Sequence, residues 1–213
     1  MSGWLTENAL FFREYLRHFH TTGAVLPSGR RLAAALTRFV REPSSRPRKI
    51  LEVGPGTGAV TGQIVRGMRD ADCLDLVELN DTFVARLNHR FQAEPAFQAV
   101  AQRALVHHCP VEDLPGEDRY DVIVSGLPLN NFSVAQVERL LSTLCNRLAP
   151  NGMLSFFEYI AVRPARAIVS GRAERTRLRG VGHAMREVLD RHEVRRDAVW
   201  LNVPPAWVHH VGT

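Results

Sequence analysis

The 213-residue sequence predicts an α/β domain: a mostly parallel sheet of seven strands, one of them antiparallel, with helices on both faces. Short apolar runs alternate with longer segments of helical period. A glycine-rich turn follows the first strand-like run after a polar linker. The last two runs stand too close together for a crossover helix, so one of them must reverse direction.

Residues 3–19 read as an amphipathic helix. Trp4, Leu5, Phe11, Phe12, Tyr15, Leu16 and Phe19 recur near helical spacing, while Glu7, Arg13, Glu14 and Arg17 take the other side. After a turn at 21–24, a second helix is expected from near Pro27 and Ser28 to about Val40. Residues 42–48 (EPSSRPR) form a polar, Pro-rich linker. The alternation begins with a buried strand at 49–53 (KILEV) and a helix at 57–69. A strand at 73–78, a helix at 80–92, and strands at 104–108 and 120–125 follow. A helix over 133–149 ends at Pro150-Asn151-Gly152 and leads into a fifth strand at 153–159. An Arg-rich helical stretch covers 164–191, and 194–202 and 206–211 close the sheet. The length suits a single domain, 1–213, with 1–41 as an N-terminal helical extension.

Composition narrows the class. Hydrophobic residues make up 45% and charged residues 23%, as in ordinary globular proteins. No apolar run approaches the roughly 18–20 residues of a membrane span, and residues 1–20 lack the apolar core of a secretory signal. Neither a transmembrane nor a secreted protein is expected. Cys73, Cys109 and Cys145 are odd in number and widely spaced, which predicts neither disulfides nor a metal site; each reads as a small buried apolar residue in a reducing cytoplasm. The net charge of +5 is uneven. Residues 1–50 carry nine Lys/Arg against three Asp/Glu, 160–213 carry ten against five, and the middle carries eight against fourteen. Basic ends around an acidic body suggest an anionic membrane or a nucleic acid as partner.

The most specific motif is Glu52-Val53-Gly54-Pro55-Gly56-Thr57-Gly58, which follows a strand and opens a helix. Gly54, Gly56 and Gly58 let the backbone turn sharply and approach a ligand. The spacing is G-x-G-x-G, not the dinucleotide G-x-G-x-x-G, and Glu52 suits a cationic amino-acid portion. Glu78, ending the second strand beside Leu79 and Asn80, is placed to accept both ribose hydroxyls. Together these features point to S-adenosylmethionine (SAM), with S-adenosylhomocysteine as its product, and not to NAD. Resemblance to Rossmann-like methyltransferases implies that the loop Pro110-Val111-Glu112 after the third strand covers the adenine, and that Ser125 ends the fourth strand beside the cofactor.

Three further segments carry a family resemblance: 22–28 (TGAVLPS), 125–132 (SGLPLNNF) and 202–206 (NVPPA). With the glycine motif they resemble the bacterial phospholipid N-methyltransferases, Rossmann-like enzymes related to the rRNA adenine dimethyltransferases. The resemblance implies stepwise methylation of phosphatidylethanolamine towards phosphatidylcholine, with another aminolipid such as ornithine lipid as the alternative. It also implies that Thr22 and Gly23 contact the cofactor. The rRNA enzymes carry an N-L-P-Y type loop, in which Asn accepts from the adenine amine and the aromatic residue stacks on the base. Here Gly126 and Leu129 take those positions, so a planar base loses both partners while a flexible aliphatic amine loses nothing. RNA is therefore the less favoured acceptor.

The resemblance further implies that the first helix docks on the bilayer through Trp4, Leu5, Phe11 and Phe12 and closes the active site. This would place the enzyme in the cytoplasm, on the inner face of the membrane. Arg163, Arg166, Arg172, Arg175, Arg177 and Arg179 are candidates to hold lipid phosphate, and a solvated helix face is an equal reading. Candidates for the amine or head group are Tyr15, the carbonyl of Leu127, Glu158, Tyr159 and His183.

Overall fold

The computed structural model describes residues 29–117, 119–160 and 171–213. The expected helix at 3–19 lies outside them, and so do Trp4, Leu5, Phe11, Phe12, Tyr15, Thr22, Gly23, Arg163 and Arg166.

Seven strands form one sheet: β1 (Lys49–Val53), β2 (Cys73–Val77), β3 (Ala104–His107), β4 (Tyr120–Ser125), β5 (Leu148–Tyr159), β6 (Glu193–Val199) and β7 (Ala206–Gly212). Their order is β3-β2-β1-β4-β5-β7-β6. The first five pair in parallel, and β7 runs antiparallel between β5 and β6, as the short connection between the last two strands requires. The helices are α1 (Arg30–Leu36), α2 (Thr61–Gly67), α3 (Asp81–Ala93), α4 (Pro95–Gln98), α5 (Val134–Asn146) and α6 (Arg172–His192).

Strand alternation splits the core into two layers. Leu51, Ile123, Leu154 and Phe156 pack under α5 and α6. Their neighbours Ile50, Val122 and Phe157 pack with α1, α2, α3 and α4 on the opposite face. Both faces of the central strands are thus buried, which explains their nearly continuous apolar sequences.

Several boundaries differ from expectation for local reasons. Helix α2 begins at Thr61, not at 57, because Gly56 and Gly58 have φ of 55° and 79°, outside the helical range. Helix α5 starts from a Ser133–Gln136 capping box and ends at Asn146, not at 149. Leu148 already pairs with Tyr120, and a register irregularity before Val122 absorbs the turn at Asn151 (φ 63°), so β5 starts earlier than expected. Strand β6 ends at Val199, and α1 gives way to turns after Leu36. The short α4, opened by Pro95, was not anticipated. The expectation of buried cysteines is corrected: Cys73 is exposed, and Cys109 and Cys145 are only partly buried.

The supposed linker also hides structure. Arg48 is buried and fully engaged: its guanidinium meets Asp72 (Nη2 to Oδ2, 2.6 Å) and donates to the carbonyls of Phe39, Val40 and Glu42. Burial opposes ionisation of Asp72, but Arg48 and two backbone N–H groups hold its carboxyl below the ordinary value.

Candidate active site

The site lies at the carboxyl ends of β1, β2 and β4, where parallel sheets of this kind leave a crevice. Val53 at the end of β1 is flanked by Val77 and Ser125. The chain leaves β1 through Gly54, Gly56 and Gly58, all with positive φ. Gly54 and Gly126 also sit where the β1 and β4 loops meet. A Cβ on Gly54 would lie 2.4 Å from Leu127 Cδ2, and a Cβ on Gly126 would lie 2.7 Å from the Gly54 carbonyl oxygen. Gly126 N–H donates to the Val53 carbonyl at 2.9 Å, which holds the two loops together.

Glu78 anchors this assembly. Its Oε2 accepts from Gly56 N–H at 3.0 Å, and its Oε1 accepts from Leu79 and Asn80 N–H at 2.8 and 2.9 Å. Burial pushes its carboxyl above the ordinary value, partly offset by these three donors. Asn80 caps α3 by accepting from Phe83 N–H. From α3, Arg90 donates to the carbonyls of Thr57 and Gly58, pairs with Glu94 and stacks over Phe97 at 4.1 Å. It clamps the far side of the glycine loop, a role that sequence reasoning missed.

A cleft open at its mouth lies beside Glu78. Val53, Gly54, Val77, Glu78 and Leu79 form one wall, and Pro110, Val111 and Glu112 another. The 110–112 loop thus lines the same cleft as Glu78. Cys109, Leu127, Phe132, Gln136, Arg139 and Leu140 complete the lining. Phe132 belongs to the 125–132 segment singled out in the sequence, whereas the α5 residues Gln136, Arg139 and Leu140 were not anticipated, because their approach depends on how α5 packs.

Glu52 is placed differently from a cleft residue. It is fully buried beneath the glycine loop, and both carboxylate oxygens lack a hydrogen bond of normal geometry. Burial pushes its carboxyl up to about 8; nearby Thr61 offsets part of the rise and Glu78 adds to it. An orphaned carboxyl under a ligand-binding loop fits a cationic ligand, whose charge would restore its ionisation. With the glycine turns and the cleft-facing Glu78, the residues present fit SAM.

The acceptor-side candidates separate. Leu127 faces the cleft, and Ser125 Oγ accepts from Leu127 N–H at 3.4 Å. Leu129 is 1% exposed and packs in the core. Arg177 donates to the carbonyls of Asn130 and Phe132 and pairs with Glu174, so it braces this loop. The reading of Arg177 as a phosphate ligand is therefore corrected. Glu158 and Tyr159 do not converge, because adjacent strand residues face opposite sides. Glu158 Oε1 lies 3.5 Å from His209 Nε2 on one face. Tyr159 packs edge-on against Phe157 on the other, and burial pushes its hydroxyl up to about 12. His183 is exposed on α6, away from that helix's buried stripe of Leu178, Val181 and Met185.

Residues 50–152 match the family model described as a methyltransferase domain. Over 122 residues the chain is 34% identical to the ribosomal RNA small subunit methyltransferase A of Synechococcus sp., covering 55% of this chain but only 41% of that relative's length. It is 27% identical over 143 residues to the ornithine lipid N-methyltransferase of Singulisphaera acidiphila, covering 67% of this chain and 73% of the relative. Among solved structures, it is similar to the O-methyltransferase TomG from Streptomyces achromogenes in complex with SAM, with a TM-score of 0.61 at 15% identity over 100% of this chain and 91% of that one. An O-methyltransferase from Bacillus cereus in complex with SAH gives a TM-score of 0.59 at 14% identity, over 95% and 90%. At such identities these structures establish the fold, which is the Rossmann-like one expected. Residues 50–152 thus match a methyltransferase domain, carried on the Rossmann-like fold that these structures share.

Proposed function

We propose that this chain is an N-methyltransferase of an aminolipid, converting phosphatidylethanolamine stepwise towards phosphatidylcholine at a membrane surface, with ornithine lipid as the alternative acceptor. The observation that carries this reading is the loop after β4. Gly126 has no room for a side chain against the Gly54 carbonyl, and Leu129 is turned into the core. A nucleobase would find neither an amide acceptor nor a stacking ring at these two positions, whereas a small amine needs only a carbonyl such as that of Leu127. Similarity to a relative named for ornithine lipid N-methylation supports the lipid class.

Bound SAM supplies an electrophilic methyl on a sulfonium; the rest is positioning. In this reading Glu78 holds the ribose, with Leu79, Asn80 and Ser125 shaping its surroundings. Pro110, Val111 and Glu112 cover the adenine, Thr22 and Gly23 are assigned further cofactor contacts, and Glu52 balances the cationic end. The amine must lose its proton before attack, to water or to a nearby carboxylate or His. Tyr15 is assigned to the head group, and His183 to lipid phosphate at the surface. Trp4, Leu5, Phe11 and Phe12 dock the first helix on the cytoplasmic face of the bilayer. Among the described residues no helix is long and apolar enough to cross a membrane.

A second reading, methylation of an RNA adenine, is favoured by the rRNA methyltransferase relative and the basic chain ends. Transfer of labelled methyl from SAM to phosphatidylethanolamine vesicles, ornithine-lipid vesicles and structured RNA decides between them. Label in phosphatidylethanolamine is expected. Label only in ornithine lipid changes the head group and keeps the mechanism, and label only in RNA overturns the reading.

A further inference from the structure

The turn joining β6 to β7 exposes Trp200, Leu201 and Val203 at 63%, 74% and 71%. These are three of the five large hydrophobic side chains exposed among the described residues, and they fall within four positions. A monomer rarely leaves such a cluster in water without a use.

Its place in the fold gives it one. Ala206 pairs with both Tyr159 at the end of β5 and Val199 at the end of β6. The turn therefore projects from the same sheet edge as the cofactor cleft. Asn202 Oδ1 accepts from Gly29 N–H at 3.2 Å, and Pro205 O accepts from Ile160 N–H at 2.8 Å. The tip is tied to the start of α1 and to the end of β5.

Its chemistry is that of a bilayer contact. Arg30 and Arg31 are exposed at the start of α1, and Arg31 and Arg38 share a surface cleft with Trp200 and Leu201. Arg196 stacks over Trp207 at 4.8 Å, and Trp207 packs edge-on against Trp200 at 5.7 Å. The acidic residue of this cleft, Asp197, is already paired with Arg38 and Arg195. Exposed Trp, Leu and Val ringed by arginines complement the apolar boundary and anionic head groups of a membrane surface.

We propose that the 200–203 tip is a second membrane anchor, inserting into an anionic bilayer so that the cleft edge faces the lipid. This rests on the reading of the enzyme as an interfacial aminolipid methyltransferase.

Flotation with vesicles containing phosphatidylglycerol tests it in the full chain. Trp200→Ser/Leu201→Ser/Val203→Ser should lower the vesicle partition coefficient about tenfold or more while leaving SAM affinity unchanged and the chain folded. In a Trp4→Phe/Trp207→Phe chain, which retains Trp200 as its one tryptophan, brominated acyl chains should quench the fluorescence. Wild-type partitioning by the triple variant together with an unquenched Trp200 overturns the proposal, as does a wild-type protein that ignores anionic vesicles. A quenched Trp200 in an enzyme that methylates no lipid keeps the anchor and overturns the substrate. Normal methylation of detergent-dispersed lipid, with vesicle methylation lost in the triple variant, supports both.

Discussion

Replacing Glu78 with Gln separates the two tasks assigned to that side chain. The carboxylate accepts from Gly56 on one oxygen and from Leu79 and Asn80 on the other. Gln offers a single acceptor oxygen. If it keeps Leu79 and Asn80, its NH₂ group faces Gly56 N–H, donor against donor. Losing one charge-assisted hydrogen bond costs about 1.5–3 kcal/mol. Burial disfavours the charged carboxylate here, so neutralisation returns part of that cost. The net loss of stability should be about 1 kcal/mol, or roughly 2–4 °C in Tm for a domain of this size. The cofactor loses more, because an amide NH₂ does not accept from a ribose hydroxyl. A further loss of about 1.5–3 kcal/mol raises the SAM Kd roughly 10- to 150-fold. Calorimetric titration of both proteins with SAM, beside thermal unfolding, reads the two effects separately. Unchanged SAM affinity would refute the ribose assignment. A collapse in Tm that matches the affinity loss would mean that Glu78 acts only by folding the glycine loop.

Four further outcomes are expected. Glu52 titrates near 8 in the free protein, so a bound cation that restores its ionisation should release a proton at pH 7; binding enthalpies measured in buffers of different ionisation heat would then differ, and identical enthalpies would rule out a counter-charge role. His210 is held neutral, with its pKa lowered to about 4 by burial, its Nδ1 meeting Ser155 Oγ at 2.8 Å. The unfolded chain therefore binds the extra proton, and stability should fall by roughly 2–3 kcal/mol as pH drops from 6.5 towards 4, with His210→Gln flattening that slope in denaturant titrations. Asp72→Ala strands the buried Arg48 charge and should cost about 3–5 kcal/mol in chemical unfolding; a loss below about 1 kcal/mol would mean the pair is solvated. Gly126→Ala drives a Cβ into the Gly54 carbonyl and should cost about 1–3 kcal/mol together with weaker SAM binding, whereas an unaltered Tm would show that the two loops part easily.

Much of this molecule was legible from residue order. Strand period and apolar runs located β1 to β5, and the close spacing of the last two strands required the antiparallel β7. The glycine loop, Glu78 and the 110–112 loop were legible because local chemistry dictates them: a turn needing positive φ, an acid at a strand end, a proline-led turn after a strand. What sequence reading missed depends on distant parts of the chain meeting. Arg48 looks like a linker residue until Asp72 lies beside it, and Arg90 looks like a helix surface residue until the glycine loop passes under it. Arg177 looked free for phosphate because the carbonyls of Asn130 and Phe132 reach it only after α6 packs. Glu158 and Tyr159 were grouped by adjacency in sequence, which in a strand places their side chains on opposite faces.

The proposed reaction is methyl transfer to a lipid amine. Its most direct test is to express the chain in a bacterium whose membranes contain phosphatidylethanolamine but no phosphatidylcholine, and to resolve the lipid head groups by mass spectrometry. Head groups carrying one, two and three added methyl groups, absent when Glu78→Gln is expressed at the same level, are the predicted result. An unaltered lipid profile alongside newly methylated adenines in the host's RNA would contradict it.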